Sequence, residues 1–177
     1  GSQFAKESSI VLDYLKEETE HFNEKYVILG EQMAANKDYL EYQADIFTDA
    51  CAIVGVEAKF KPSNPKDEKS EPIEDYTTMK SMYEQAIKDR KAAKNLSAED
   101  KAMTELLETT CTAQVMSDVI LLDKLQTELA ATDILIKTNT TNAETISKAA
   151  EAAMADGNNL VELAKVINLN LYWFYFL

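Results

Sequence analysis

The chain has 177 residues, 31 Asp and Glu against 18 Lys and Arg, and a formal net charge of -13. That length is enough for one domain with a real core, and that charge argues against nucleic-acid phosphates and anionic membrane surfaces as general partners, since both need a basic patch. Arg90 is the only arginine, which nearly excludes bidentate phosphate clamps, and a composition with 4 Gly, 3 Pro and abundant Ala, Glu, Lys and Leu is that of long helices and coiled coils.

Gly1-Ser2 reads as the remnant of a cleaved tag, so the native N-terminus is expected to lie outside this sequence. A first helix is predicted from about Phe4 to Lys59. Val11, Leu15, Phe22, Tyr26, Leu29, Met33, Leu40, Ala44, Phe47, Cys51, Val54 and Ala58 fall mostly three, four or seven apart, which is one helical stripe. Phe22, Met33 and Ala44 follow at eleven-residue steps, the spacing of a nearly straight helix packed along its length. Gly30 is the expected place for a bend or break. Unbroken, this helix would run roughly 80 Å at 1.5 Å per residue, too long for a compact globule, so a rod is expected. Lys61 to Pro72 holds all three prolines, is charged and has no apolar residue; it is expected to be a mobile loop without regular structure, the first site of protease cleavage.

A second helix is predicted from about Ile73 to Lys94, with Tyr76, Met79, Tyr83 and Ile87 on one face. Asn95-Leu96 interrupts it, and Ser97 followed by Asp100 is a helix-start signature. A third helix is predicted from about Ala98 to Lys137, carrying Met103, Leu107, Cys111, Val115, Leu122, Leu125 and Leu129. Thr138 to Asn142 is the next expected break, because Thr and Asn favour caps and turns over helix interiors. Thr141 with Glu144 makes a second capping box, opening a fourth helix near Asn142 that Asp156-Gly157-Asn158-Asn159 bends before Leu160, Leu163 and Ile167. No alternating strand pattern stands out. The expectation is therefore an all-α fold: a single domain over residues 1–177, built as an elongated antiparallel bundle of three to four long helices. No stretch reaches the ~20 apolar residues of a membrane span. Tyr172 to Leu177 is a run of aromatics ending in leucine that cannot all face one stripe, so some rings must meet a partner, a membrane interface or solvent.

Candidate chemistry is sparse. Glu18-x-x-His21 is half of a carboxylate-bridged di-iron signature, which needs a second such pair and two more glutamates; His21 is the only histidine, so one chain cannot complete it, although a homodimer could. A solvated helix face is the simpler account. No nucleophile triad can be assembled around one histidine, and the isolated glycines form no phosphate loop. No catalytic, cofactor-binding or metal-binding residue is therefore assigned, and no cofactor is expected. Asn95-Leu96-Ser97 and Asn139-Thr140-Thr141 are N-glycosylation acceptor patterns, both at expected helix breaks where an oligosaccharide could stand outside the core; the alternative is that they are only caps.

Cys51 and Cys111 are the only cysteines, one on each of two stripes. They are either buried small hydrophobes or one disulfide in an oxidising compartment. If the first helix rises, the second descends and the third climbs again, Cys111 comes level with Cys51; one continuous descending helix would leave them roughly 40 Å apart. The Ser97 start signal favours the first arrangement. A Cys51–Cys111 bridge would close a loop of about 60 residues, worth roughly 4 kcal/mol in the chain-entropy model.

Long Ala- and Glu-rich helices, clearest from Ala143 to Ala155, together with the acidic balance, two acceptor patterns and one possible disulfide, resemble the extended helical-bundle surface proteins of African trypanosomes. That group includes variant surface glycoproteins, the haptoglobin–haemoglobin receptor and the glutamic acid/alanine-rich surface protein, the last being nearest in character. The likeness is one of style along the chain; two cysteines are fewer than many variant surface glycoproteins have, and no functional residue carries over. The resemblance implies a non-enzymatic, lipid-anchored coat protein on the cell surface that shields the cell or meets host molecules. Its partners would be a host protein or neighbouring coat molecules, with no nucleic acid, and with membrane contact only through an anchor outside this sequence. Two rival readings stand beside it. One is a secreted membrane-inserting protein of α-helical toxin type, drawn from the long helices and the aromatic run, with the acid balance against it. The other is an intracellular coiled-coil adaptor.

Overall fold

The computed structural model describes residues 2–155 together with Asn168. The helix-forming composition is realised among these residues as α1 (Ser2–Ala35), α2 (Lys37–Ile53), α3 (Tyr76–Ala92), α4 (Ala98–Thr110) and α5 (Ala113–Ala155), with one hairpin, β1 (Phe60–Asn64) and β2 (Asp67–Glu74), between α2 and α3. The fold is mostly helical, as the composition requires. The bend expected after Asp156 and the aromatic run from Tyr172 lie outside the described residues.

Four boundaries differ from those expected. Gly30 stays helical, and the first helix is interrupted at Asn36 instead, whose amide donates to the Gln32 carbonyl (2.9 Å) and so competes with the backbone ladder. The second segment ends at Ile53 rather than Lys59, on a Schellman turn. There the Val56 N–H reaches the Cys51 carbonyl (2.8 Å), the Gly55 N–H reaches the Ala52 carbonyl (3.2 Å), and Gly55 takes φ 82°. Buried Val56 then packs into the same core cluster as Cys51. A Cβ at Gly55 would meet no atom within 4 Å, so Gly55→Ala tests the backbone alone. It should lower stability by about 1 to 2 kcal/mol, read as a lower urea midpoint with an unchanged slope.

The expected loop from Lys61 to Pro72 is a β-hairpin. Phe60 pairs with Glu74, Lys61 with Ile73, Pro62 with Pro72 and Asn64 with Asp67, with a bulge between Pro62 and Asn64. Prolines face each other here because a two-stranded ribbon has only edges, and a residue without an N–H is tolerated where that N–H would point outward. The tip is tied locally: the Asn64 side chain accepts from the Lys66 N–H (3.1 Å), and the Ser70 hydroxyl donates to the Asp67 carbonyl (2.6 Å). These bonds replace the apolar anchors that the segment lacks.

The third expected helix is split at Cys111, where the Thr112 hydroxyl accepts from the Val115 N–H (3.2 Å) and starts α5. The break expected over Thr138–Asn142 is absent, and the Thr141–Glu144 box does not start a helix; these residues lie inside α5. The threonines there are satisfied without leaving the helix. Thr140 donates to the Ile136 carbonyl (2.9 Å) and Thr145 to the Thr141 carbonyl (3.0 Å). The Ser97 start holds: its hydroxyl accepts from the Asp100 N–H (3.1 Å).

The chain divides into two compact units, Leu29–Ala130 and the remainder on either side of it. The Leu29–Ala130 unit has a core of Ala44, Phe47, Cys51, Tyr76, Met79, Tyr83, Leu107, Val115 and Val119, with the Phe47 ring edge-on to Tyr76 and Tyr83 at 6.4 and 5.9 Å. In the other unit Leu15 of α1 and Ile146 of α5 are buried against Val11, Leu12, Ala143, Ala149 and Ala150.

Candidate functional site

The register expected for the cysteines brings them together. Cys51 is fully buried, Cys111 is 3% exposed, and both belong to one core cluster with Tyr83. They are free thiols, however, so the expected Cys51–Cys111 bridge is not formed. Burial pushes the Cys51 thiol up to about 12, with Cys111 adding to the effect. Burial also raises Cys111, against a hydrogen bond with Tyr83 that acts the other way. This surrounding favours the protonated thiol over the thiolate that bridge formation requires.

The two acceptor patterns fare differently. Asn95 is exposed in the turn between α3 and α4, next to the Ser97 cap. Asn139 is not at a helix break but at the middle of α5 with 0% exposure, and neither atom of its amide has a hydrogen-bond partner. A cleft of about 580 Å³ is lined by Asn139 together with Leu12, Leu15, Ala143 and Ser147, and the amide atoms themselves are covered. A buried unpaired amide costs about 1 to 3 kcal/mol. Asn139→Leu should therefore raise stability by about 1 to 2 kcal/mol, seen as a higher melting temperature. His21 is exposed on α1, and no group of three or more metal-ligating side chains occurs among the described residues.

Two buried aspartates went unnoticed in the sequence. Asp118 accepts from the Tyr39 hydroxyl (2.6 Å), Gln43 (2.9 Å) and Gln114 (3.0 Å). Burial alone would raise its pKa, but the three donors outweigh it and hold the carboxyl below its ordinary value. Asp123 accepts from Lys61 of the hairpin (2.5 Å), the Thr77 N–H at the start of α3 (3.0 Å) and the Thr127 hydroxyl (3.1 Å). It too lies below the ordinary value: burial opposes this, and the Lys61 and Thr77 donors prevail. Each aspartate spends its acceptors on neighbouring groups and so joins elements of the Leu29–Ala130 unit.

The feature with an open, chemically specific surface is a cleft of about 420 Å³ where α3 turns into α4. Arg90 and Lys91 enter it from the last turn of α3, Lys94 and Leu96 from the connection, and Lys101, Glu105 and Glu108 from α4. The Arg90 guanidinium is held by the Ile53 carbonyl and the Thr104 hydroxyl, both at 3.4 Å. Thr104 is itself buried and donates to the Asp100 carbonyl (2.7 Å). Lys91 pairs with Glu108. Five of the chain's 18 basic residues fall between Lys88 and Lys101, so the local charge reversal was visible in the sequence, hidden by the net charge of -13.

Compared with protein-family models, curated proteins and solved structures, the chain matches none.

Proposed function

We propose that this chain is a non-enzymatic extracellular surface protein of a parasite, an elongated helical bundle that shields the cell or contacts host molecules. The reading rests on the sequence likeness described above. The observation that carries it is the exposed Asn95-Leu96-Ser97 acceptor in the α3–α4 connection, an accessible irregular segment of the kind that glycan transfer needs. The polar side chains of the Leu29–Ala130 core serve its packing, since Asp118 and Asp123 spend their acceptors on neighbouring elements.

The test is to label intact, unpermeabilised source cells with an antibody against the chain, and to treat the secreted protein with an N-glycosidase. Surface labelling and a mass loss abolished by Asn95→Gln are expected. Labelling only after permeabilisation would replace this reading with the intracellular adaptor, and leakage from liposomes would replace it with the membrane-inserting protein. The elongated form is tested separately by small-angle scattering, which should give a radius of gyration well above the ~16 Å of a compact domain of this length.

A further inference from the structure

We propose that the cleft between α3 and α4 is a binding site for a phosphate dianion, either free or as the ester group of a small molecule. The argument begins with charge. Arg90, Lys91, Lys94 and Lys101 face Glu105 and Glu108 across the cleft, an excess of two positive charges in a chain of net charge -13. Lys91 is neutralised by Glu108, while Lys94 and Lys101 pair with no carboxylate among the described residues. Like charges brought to one cleft from the end of α3, the connection and α4 repel one another, so the arrangement is stabilised by an anion that enters between them.

Geometry then selects the anion. The guanidinium carries five N–H donors in a planar fork. Two contacts, to Ile53 and Thr104, fix its position from behind and leave the remaining donors for a ligand. A guanidinium oriented by two contacts, beside two exposed ammonium groups, suits a tetrahedral oxyanion, and a phosphate monoester carries about -1.5 to -2 at neutral pH, which matches the excess. The cleft volume of about 420 Å³ lies within the ~300–1,000 Å³ range of small-molecule sites, and Leu96 supplies an apolar wall. A phosphate group therefore leaves room for the molecule that bears it. The site goes beyond the coat-protein reading and would hold for an intracellular protein equally.

The experiment uses the whole ¹⁵N-labelled chain, titrated at fixed ionic strength with inorganic phosphate, glucose 6-phosphate and chloride. Saturable amide shifts centred on Lys94 to Lys101 are expected with both phosphates and not with chloride. Tighter binding of glucose 6-phosphate assigns the cleft to esters; equal binding assigns it to the anion itself. The double variant Lys94→Gln/Lys101→Gln, with both side chains exposed and the fold retained, should weaken binding by about tenfold, the sum of two exposed charge contacts. Arg90→Lys keeps the charge, loses the fork and should weaken it further. Shifts that fail to saturate, that chloride reproduces, or that the double variant leaves unchanged would overturn the proposal.

Discussion

Asp123→Ala should lower the stability of the Leu29–Ala130 unit by about 3 to 5 kcal/mol, the penalty for removing one partner of a buried, hydrogen-bonded ion pair. The Asp123 side chain is 5% exposed, and Lys61 is 27% exposed, so water replaces the carboxylate only in part. The loss is shared among three elements: the hairpin through Lys61, the first turn of α3 through the Thr77 N–H, and α5 through Thr127. The Thr77 N–H is one of the donors that a helix start leaves without an intrahelical partner. The pH dependence follows from the depressed pKa. Stability from Asp123 is fully present above the unfolded value of about 3.9 and is lost as pH falls through the lower folded value. Urea melts of the wild type and the variant should therefore differ most near neutral pH and converge in strong acid. Loss of Lys61's partner should also loosen the hairpin, so that protease cuts the variant between residues 61 and 72 sooner than the wild type. Equal midpoints at neutral pH would show that the pair contributes nothing net.

The helical stripe was legible in part: burial follows spacing over much of it, but Tyr26, Ala58 and Met103, expected on the stripes, are exposed. Leu15, Leu29, Leu40, Ala44, Phe47 and Cys51 are all buried, as are Tyr76, Met79 and Tyr83 on α3. Boundaries were legible only where one residue decides them. Ser97 caps α4 as its spacing to Asp100 says, and Gly55, flanked by two valines, carried a C-cap signal that a longer apolar stripe obscured. Thr138–Asn142 misled because propensity is a weak prior: Asn142 and Asn139 are buried by packing, and the threonine hydroxyls return to the carbonyls four residues back. The hairpin has no apolar alternation because neither strand faces a core along its length; register comes from the Asn64 and Ser70 side chains and from Lys61 reaching Asp123. That last contact joins residues 62 positions apart, and no local pattern encodes it. The basic cleft differs in kind. Its residues are near neighbours in sequence, and a count by window rather than over the whole chain would have found them.

The thiols of Cys51 and Cys111 should resist alkylation in the native protein and react only after unfolding. With Cys51 pushed up to about 12, its thiolate fraction at pH 8 falls roughly 2,000-fold below that of an ordinary thiol of pKa about 8.5. Burial also denies iodoacetamide or oxidised glutathione a path to the Cys51 sulfur, while Cys111, 3% exposed, borders a cleft of about 240 Å³ beside Tyr83, Glu84 and Glu108 and is the first of the two to label when the core loosens. Intact mass after native incubation should show no adduct, and in urea both sites should label. A bridge, if the cell makes one, must therefore form before this core closes. The same burial makes the unit sensitive to alkali. Tyr76 is also pushed up to about 12, by burial first and then by Glu74, Asp45 and Asp123, and Tyr83 is raised by burial and by the two cysteines. Each group is neutral when protonated and has a folded pKa above its unfolded one. Its contribution is whole below about pH 9 for the thiols and pH 10 for the tyrosines, and it is lost as pH rises toward the folded values. The melting temperature should therefore hold steady to about pH 9 and fall steeply toward pH 12, while tyrosinate absorbance and thiol labelling appear together with unfolding. Labelling of either cysteine at the rate of a free thiol at pH 8, in protein that keeps its helical circular dichroism, would mean that the core around Phe47 and Tyr83 is open in solution.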